Sequence, residues 1–323
     1  MKNNFIIKQN ELINLVFIVI PVFLISLWLL EYYLLGDQIH YIKTYEALAD
    51  MSLMEGFKYY NGALSSKEFI HFLLSWLLSG YINKNLFISI ANVLLAYFTV
   101  KLLIKWKVNI IIICFIVVLN FYFIVLYTGA ERLKFGIIFL VISFYYFDNK
   151  KIFILFSILA ILAHTQTVVI YGSILVYFFI KQIIHIIKFM KIKKSIFYLI
   201  FLIIIILPLV YEQLISKFFA YFYINSFMEL YQWSLLFLLS LFYSKNRSET
   251  FVIFLVLGII TLLVGGSRVN MMSYFVFLFY GLQYKQGLNT GVVITSIYLF
   301  FKSIPFVYST YMYGDGFYKA SIF

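Results

Sequence analysis

The chain has 323 residues, 64% of them apolar and only 12% charged. That is too little polar surface for a water-soluble fold of this length and points to a polytopic membrane protein. The net charge is +12, carried by twenty-two lysines and three arginines against thirteen acids, with no soluble basic module interleaved with aromatics to bind nucleic acid.

The first apolar run, Leu12 to Tyr33, follows Lys2 and Lys8 and has no small-residue cleavage pattern behind it. It reads as a retained first helix, long enough to span, and not as a removed signal peptide. The largest hydrophilic stretch comes next, Gly36 to Lys67, with residues 34–67 read as an outer loop. The segment 68–82, EFIHFLLSWLLSGYI, is apolar but short. If it crossed, it would reverse the sidedness of the basic cluster at Lys101, Lys105 and Lys107, so a re-entrant or interfacial helix is expected there. Further apolar runs lie near 85–104, 108–128, 133–147, 152–163, 167–180, 195–211, 229–243, 250–266, 269–283 and 290–308. The expected fold class is an all-α, polytopic helical bundle of about 10–12 transmembrane helices, some shortened or re-entrant, forming one domain over 1–323. The residues His164-Thr165-Gln166 interrupt two of these runs, giving either two shortened helices or one broken helix, tolerated only where protein or a wet cavity surrounds it.

Orientation follows from the basic residues of short loops. Lys101, Lys105 and Lys107, the pair Lys150 and Lys151, five lysines in 181–194, and Lys245 with Arg247 all fall on one side. Setting that side as cytoplasmic puts the N-terminus inside and Arg132, His164 and Arg268 outside. Cys114, the single cysteine, excludes an intrachain disulfide framework.

Arg132 and Arg268 lie between apolar stretches with almost no polar linker. In so lysine-rich a chain, such arginines point to a task that needs a planar guanidinium gripping phosphate or carboxylate oxygens in pairs. The alternative is that both snorkel at helix ends. His164, in LAHTQTVV, is a general base, a substrate ligand, or a histidine bonded to a neighbouring helix. Asp37 is a second candidate base or a helix cap. Asp37 and His40, three apart, share a helix face but make a weak metal motif. Glu131 is the charge partner of Arg132 or a second carboxylate. Guanidiniums for a leaving diphosphate and a base for an attacking hydroxyl suit chemistry on a lipid-linked pyrophosphate. HExxH, CxxC, P-loop and Gly-rich dinucleotide signatures are absent from the sequence, so no metal and no cofactor is expected. The aromatics of 218–233 read as a headgroup-level belt, with sugar stacking as the alternative.

Several of these features together resemble the EpsG-like branch of the Wzy-type polysaccharide polymerases. They are Gly36, Asp37 and Tyr41 after the first span; Glu68-Phe69 before a short apolar helix; Arg132 with Gly136 opening a span; His164 to Thr167 closing one; and the late Arg268. Gln166 stands where the family often has serine, and Glu131 before the arginine is atypical. The resemblance implies a multi-pass protein of the bacterial cytoplasmic membrane that polymerises undecaprenyl-diphosphate-linked oligosaccharide units on its outer face. A hydroxyl of one unit attacks the anomeric carbon of another, and undecaprenyl diphosphate leaves. His164 and Asp37 would be catalytic, Arg132 and Arg268 would hold diphosphate, and Glu131, His40 and Gln166 would support them. Implied partners are the lipid-linked oligosaccharide, membrane lipids, a chain-length regulator and a flippase. The rival readings are a flippase for the same lipids, an O-antigen-ligase-type transferase and a structural subunit.

Overall fold

The computed structural model describes residues 2–189, 211, 215, 228–264 and 266–318. The expected span over 195–211 lies outside them save for its last residue, as do the aromatics at 218–223. Every regular element among the described residues is a helix, the form that satisfies backbone polar groups within one segment where no water is at hand. The chain divides into two compact units, Met1–His164 with Gln286–Phe323, and Thr165–Lys285, a finer grain than the single domain read from the sequence.

The first unit contains α1 (Lys2–Tyr32), α2 (Asp37–Leu48), α3 (Leu53–Leu64), α4 (Phe69–Ser79), α5 (Lys84–Lys105), α6 (Ile110–Cys114), α7 (Phe121–Tyr127), α8 (Glu131–Tyr145) and α9 (Lys150–Ala163). Asparagines start several of its helices. Asn83, Asn109, Asn120 and Asn149 each accept a first-turn backbone N–H, opening α5, α6, α7 and α9, and satisfy donors that a helix start leaves orphaned. Between α6 and α7 a π-helical turn, Phe115–Leu119, ends at extended Asn120, and the chain bends by 49°. The Tyr127 hydroxyl donates to the Val117 carbonyl of that turn at 2.7 Å. The last helix of the chain (Thr290–Tyr313) returns to pack on α1 and α7.

Within this unit α1 lies along α5, α5 along α8 and α8 along α9. Asn92 of α5 ties the first of these contacts, donating to Ser26 of α1 at 2.9 Å and to the Tyr127 carbonyl at 2.8 Å, the interhelical polar link favoured where apolar packing alone gives no preference over lipid. The hydrophilic stretch read as an outer loop is itself helical. α2 and α3 fold with α4 around Leu48, Tyr60 and Phe72, with Trp76 against them. Gly36 permits the sharp entry into α2, because its φ is +62° and a Cβ there would stand 3.1 Å from Asp315.

With eleven residues, α4 is about 16 Å long, roughly half of a hydrocarbon core of about 30 Å. By itself it is too short for a straight crossing. Among the described residues four helices are long and apolar enough to span a membrane, Ile13–Tyr32, Lys84–Lys105, Thr167–Phe189 and Lys285–Tyr313, and the bent pair Ile110–Leu119 with Phe121–Tyr127 makes a fifth if it is one span. Helices α8 and α9 coincide with expected runs but have 15 and 14 residues, short of the ~20 that a straight span needs.

The second unit contains α10 (Thr167–Phe189), α11 (Met228–Tyr243), α12 (Arg247–Val264) and α13 (Gly266–Gly281); α11 packs on α12 and α13, and α10 on α12. Trp233 of α11 donates to the Phe254 carbonyl at 3.0 Å and lies over Gly258, where a Cβ would come within 2.6 Å of its ring. The interruption at 164–166 thus separates a short helix, α9, from one of 23 residues, α10, so only the first is shortened.

Candidate functional site

The chain leaves α7 at Thr128 and re-enters a helix at Glu131, which sets Glu131, Arg132 and Lys134 in one turn. The three-residue break is held by α2, whose Gln38 side chain donates to the Thr128 carbonyl at 2.8 Å. Glu131 and Lys134, three apart and therefore on one face, point to the interior. Lys84, the first residue of α5, places its ammonium 2.5 Å from Glu131 and 2.7 Å from the Gln38 side-chain oxygen. Lys134 donates to the Tyr127 carbonyl at 3.3 Å. All three side chains are buried; Lys84 and Glu131 pair with each other, as burial of charge requires, and Lys134 has a backbone carbonyl as hydrogen-bond partner.

Arg132 turns toward α2 and the segment before α4. Its Nε–H donates to the Tyr41 hydroxyl at 3.1 Å, and its Nη1 lies 3.4 Å from the Leu64 carbonyl and 3.3 Å from a Glu68 carboxylate oxygen. Burial pushes the Tyr41 phenol above its ordinary range, the guanidinium opposing that shift, so Tyr41 stays a neutral acceptor for Arg132. Glu68 occupies the N-cap position of α4, where negative charge faces the helix's positive end. One of its oxygens accepts from the Ser66 hydroxyl at 3.0 Å and the other contacts His164 Nδ1. His164 can reach it because α9 stops there, the backbone turning extended at φ −157°.

A single carboxylate is therefore shared by a guanidinium and an imidazole from helices distant in sequence. The Glu68 and His164 side chains are each 3% exposed, whereas Arg132 keeps 20%, so an arriving anion meets Arg132 first. A carboxylate on one ring nitrogen fixes the orientation of an imidazole.

The structure brings together Arg132 and His164 of the expected residues. It pairs Glu131 with Lys84 and not with Arg132, which corrects the reading of Glu131 as the arginine's charge partner: the helical turn aims the two neighbours in different directions. Asp37 and His40 are exposed, while Gln38 and Tyr41 of the same helix supply its contacts to the site. Gln166 and Arg268 belong to the second unit, where Arg268 is half-buried in the first turn of α13. In the sequence Glu68 stands just before an apolar helix, a place that by itself assigns it no chemical role. Its signal was an acid with no basic neighbour on the helical face that follows it. Among the described residues no group of three or more His, Cys, Asp or Glu side chains is placed to hold a metal ion. Compared with known proteins, the chain matches no family model, no curated protein and no solved structure.

Proposed function

We propose that the chain is a membrane glycosyltransferase that polymerises undecaprenyl-diphosphate-linked oligosaccharide units at the outer face of the bacterial cytoplasmic membrane, its N-terminus inside. The observation that carries this reading is the Glu68 carboxylate shared by Arg132 and His164. It sets a phosphate-matching fork beside an oriented base, in a chain with several helices able to span a membrane. In the reaction, the hydroxyl of the acceptor unit gives its proton to His164 and its oxygen bonds to the donor's anomeric carbon. The bond from that carbon to the diphosphate breaks, and the diphosphate leaves with the electron pair, its charge met by Arg132. Glu68 stabilises the imidazolium formed on the way.

The test is deletion of the gene followed by inspection of the glycan. Loss of long polymer with single repeat units still made and exposed on the outer leaflet supports the polymerase. Units trapped on the inner leaflet make the chain a flippase, and unchanged polymer removes both readings.

A further inference from the structure

We propose that the groove between α10 and the start of α12 binds one anionic phospholipid of the leaflet on the side of the basic loops, its phosphate held by Lys181 and Arg247. The site lies wholly in the second unit and takes no part in the proposed sugar transfer.

The groove forms where α10 and α12 are tied together at their polar ends. The Asn246 side chain donates to the Tyr177 hydroxyl of α10 at 2.9 Å and to one Glu249 oxygen at 3.0 Å, and Tyr280 of α13 donates to the other at 3.3 Å. Beside this link opens a cavity of about 730 Å³, with Lys181 of α10 and Arg247 and Ser248 of α12 in its wall. That volume lies in the range of small-molecule sites. Lys181 stands near the end of α10, a helix long enough to span, and so near the membrane surface.

The unmatched charge in the groove is positive. Lys181 and Arg247 are exposed, and among the described residues neither has an ion pair. Glu249, the acid in the first turn of α12, is held by Asn246 and Tyr280 and not by either cation. Arg247 also opens an 18-residue helix, whose first backbone N–H groups favour an anion. Its guanidinium matches phosphate oxygens in pairs.

Within one turn of α12 the lining changes from Arg247 and Ser248 to Phe251 and Val252, and Ile180, Ile184 and Leu241 extend the apolar wall. Phe251 is 50% exposed and Ile184 59%. A soluble phosphate leaves these side chains uncovered, whereas an acyl chain covers them. Cations beside an apolar wall therefore select a lipid, and an anionic one, as basic pockets between membrane helices do.

The test uses full-length protein in detergent, stripped of lipid and titrated under native mass spectrometry with phosphatidylglycerol or phosphatidylcholine. The first phosphatidylglycerol should bind about tenfold or more tightly than phosphatidylcholine, and Lys181→Gln with Arg247→Gln should weaken it roughly 30-fold, the scale for two lost surface cations. Both side chains are exposed, so folding does not depend on them. Lys150→Gln with Lys151→Gln, the same loss of charge at an exposed pair in the first unit, should leave the affinity unchanged. Equal binding of the two lipids overturns the proposal, and so does a Lys181→Gln, Arg247→Gln protein that binds like the unaltered one. Displacement of the lipid by inorganic phosphate at equal concentration overturns it too, because the groove would then be a site for a soluble anion.

Discussion

The Glu68 carboxylate lies 3.3 Å from the Arg132 guanidinium, an ion pair closed between the N-cap of α4 and the first turn of α8. Replacing Glu68 with Gln keeps the shape and removes the charge, leaving Arg132 without its counter-ion. Because the arginine is partly exposed, the expected loss is about 2 kcal/mol of stability, not the larger cost of stranding a fully buried charge. Thermal unfolding of purified Glu68→Gln in detergent measures it. An unchanged midpoint would mean that the pair contributes nothing to the fold.

Arg132→Lys tests the fork itself. Lysine keeps the positive charge but cannot contact Tyr41, Leu64 and Glu68 from one planar group as Arg132 does. Polymer synthesis should fall roughly 100-fold, the scale for losing one preorganised donor at a developing charge, while the protein still inserts and purifies. Arg268→Lys, in the second unit, is measured separately and by the same assay. Full activity in both lysine variants would end the assignment of these arginines to diphosphate.

The buried Lys84–Glu131 pair gives a prediction about stability. Removing one partner, in Lys84→Met or Glu131→Leu, strands a charge in the interior and should cost about 3–5 kcal/mol. The double variant removes both charges and should recover most of that loss. A double-mutant cycle read by unfolding in detergent checks it, and simple additivity of the two single effects would show that the pair is not coupled.

Helix positions were largely legible from apolar periodicity. The run at 85–104 became α5 almost residue for residue, and the insufficient length of 68–82 for a crossing was readable from its fifteen residues and the lysines beyond it. The partners of charged side chains were not legible. Glu131 and Arg132 are adjacent in sequence, and adjacency suggested a pair, but successive helical residues point about 100° apart. Glu131 therefore met Lys84, and Arg132 met Glu68. Residues 34–67 looked like a loop because polar and aromatic residues alternate there irregularly. Their helices are held by tertiary burial of Tyr41, Tyr45, Leu48 and Tyr60, a contribution that local propensity does not reveal.

The short helix α4 fixes a sidedness that can be measured. If it does not cross, positions before and after α4 face the same compartment. In a Cys114→Ser background, cysteines placed at Lys43 and Asn83 should label with the same membrane-impermeant reagent from the outer side of intact cells. Labelling from opposite sides would reverse the orientation of everything from Lys84 onward, including Arg132.

The last prediction separates the two candidate bases. His164 contacts Glu68 inside the site, whereas Asp37 is exposed at the start of α2. In reconstituted membranes supplied with lipid-linked units, His164→Gln should therefore lower turnover strongly, by about 100-fold or more for loss of a positioned general base. Asp37→Asn should lower it less than tenfold, since no buried charge is stranded and only the first turn of α2 loses a favourable acid near its N-terminus. Binding of the lipid-linked unit, measured in parallel, should survive both changes because Arg132 is untouched. If Asp37→Asn proves the more damaging variant, the proton passes through the exposed face of α2, and the Glu68–His164 contact is a structural link between α4 and α9.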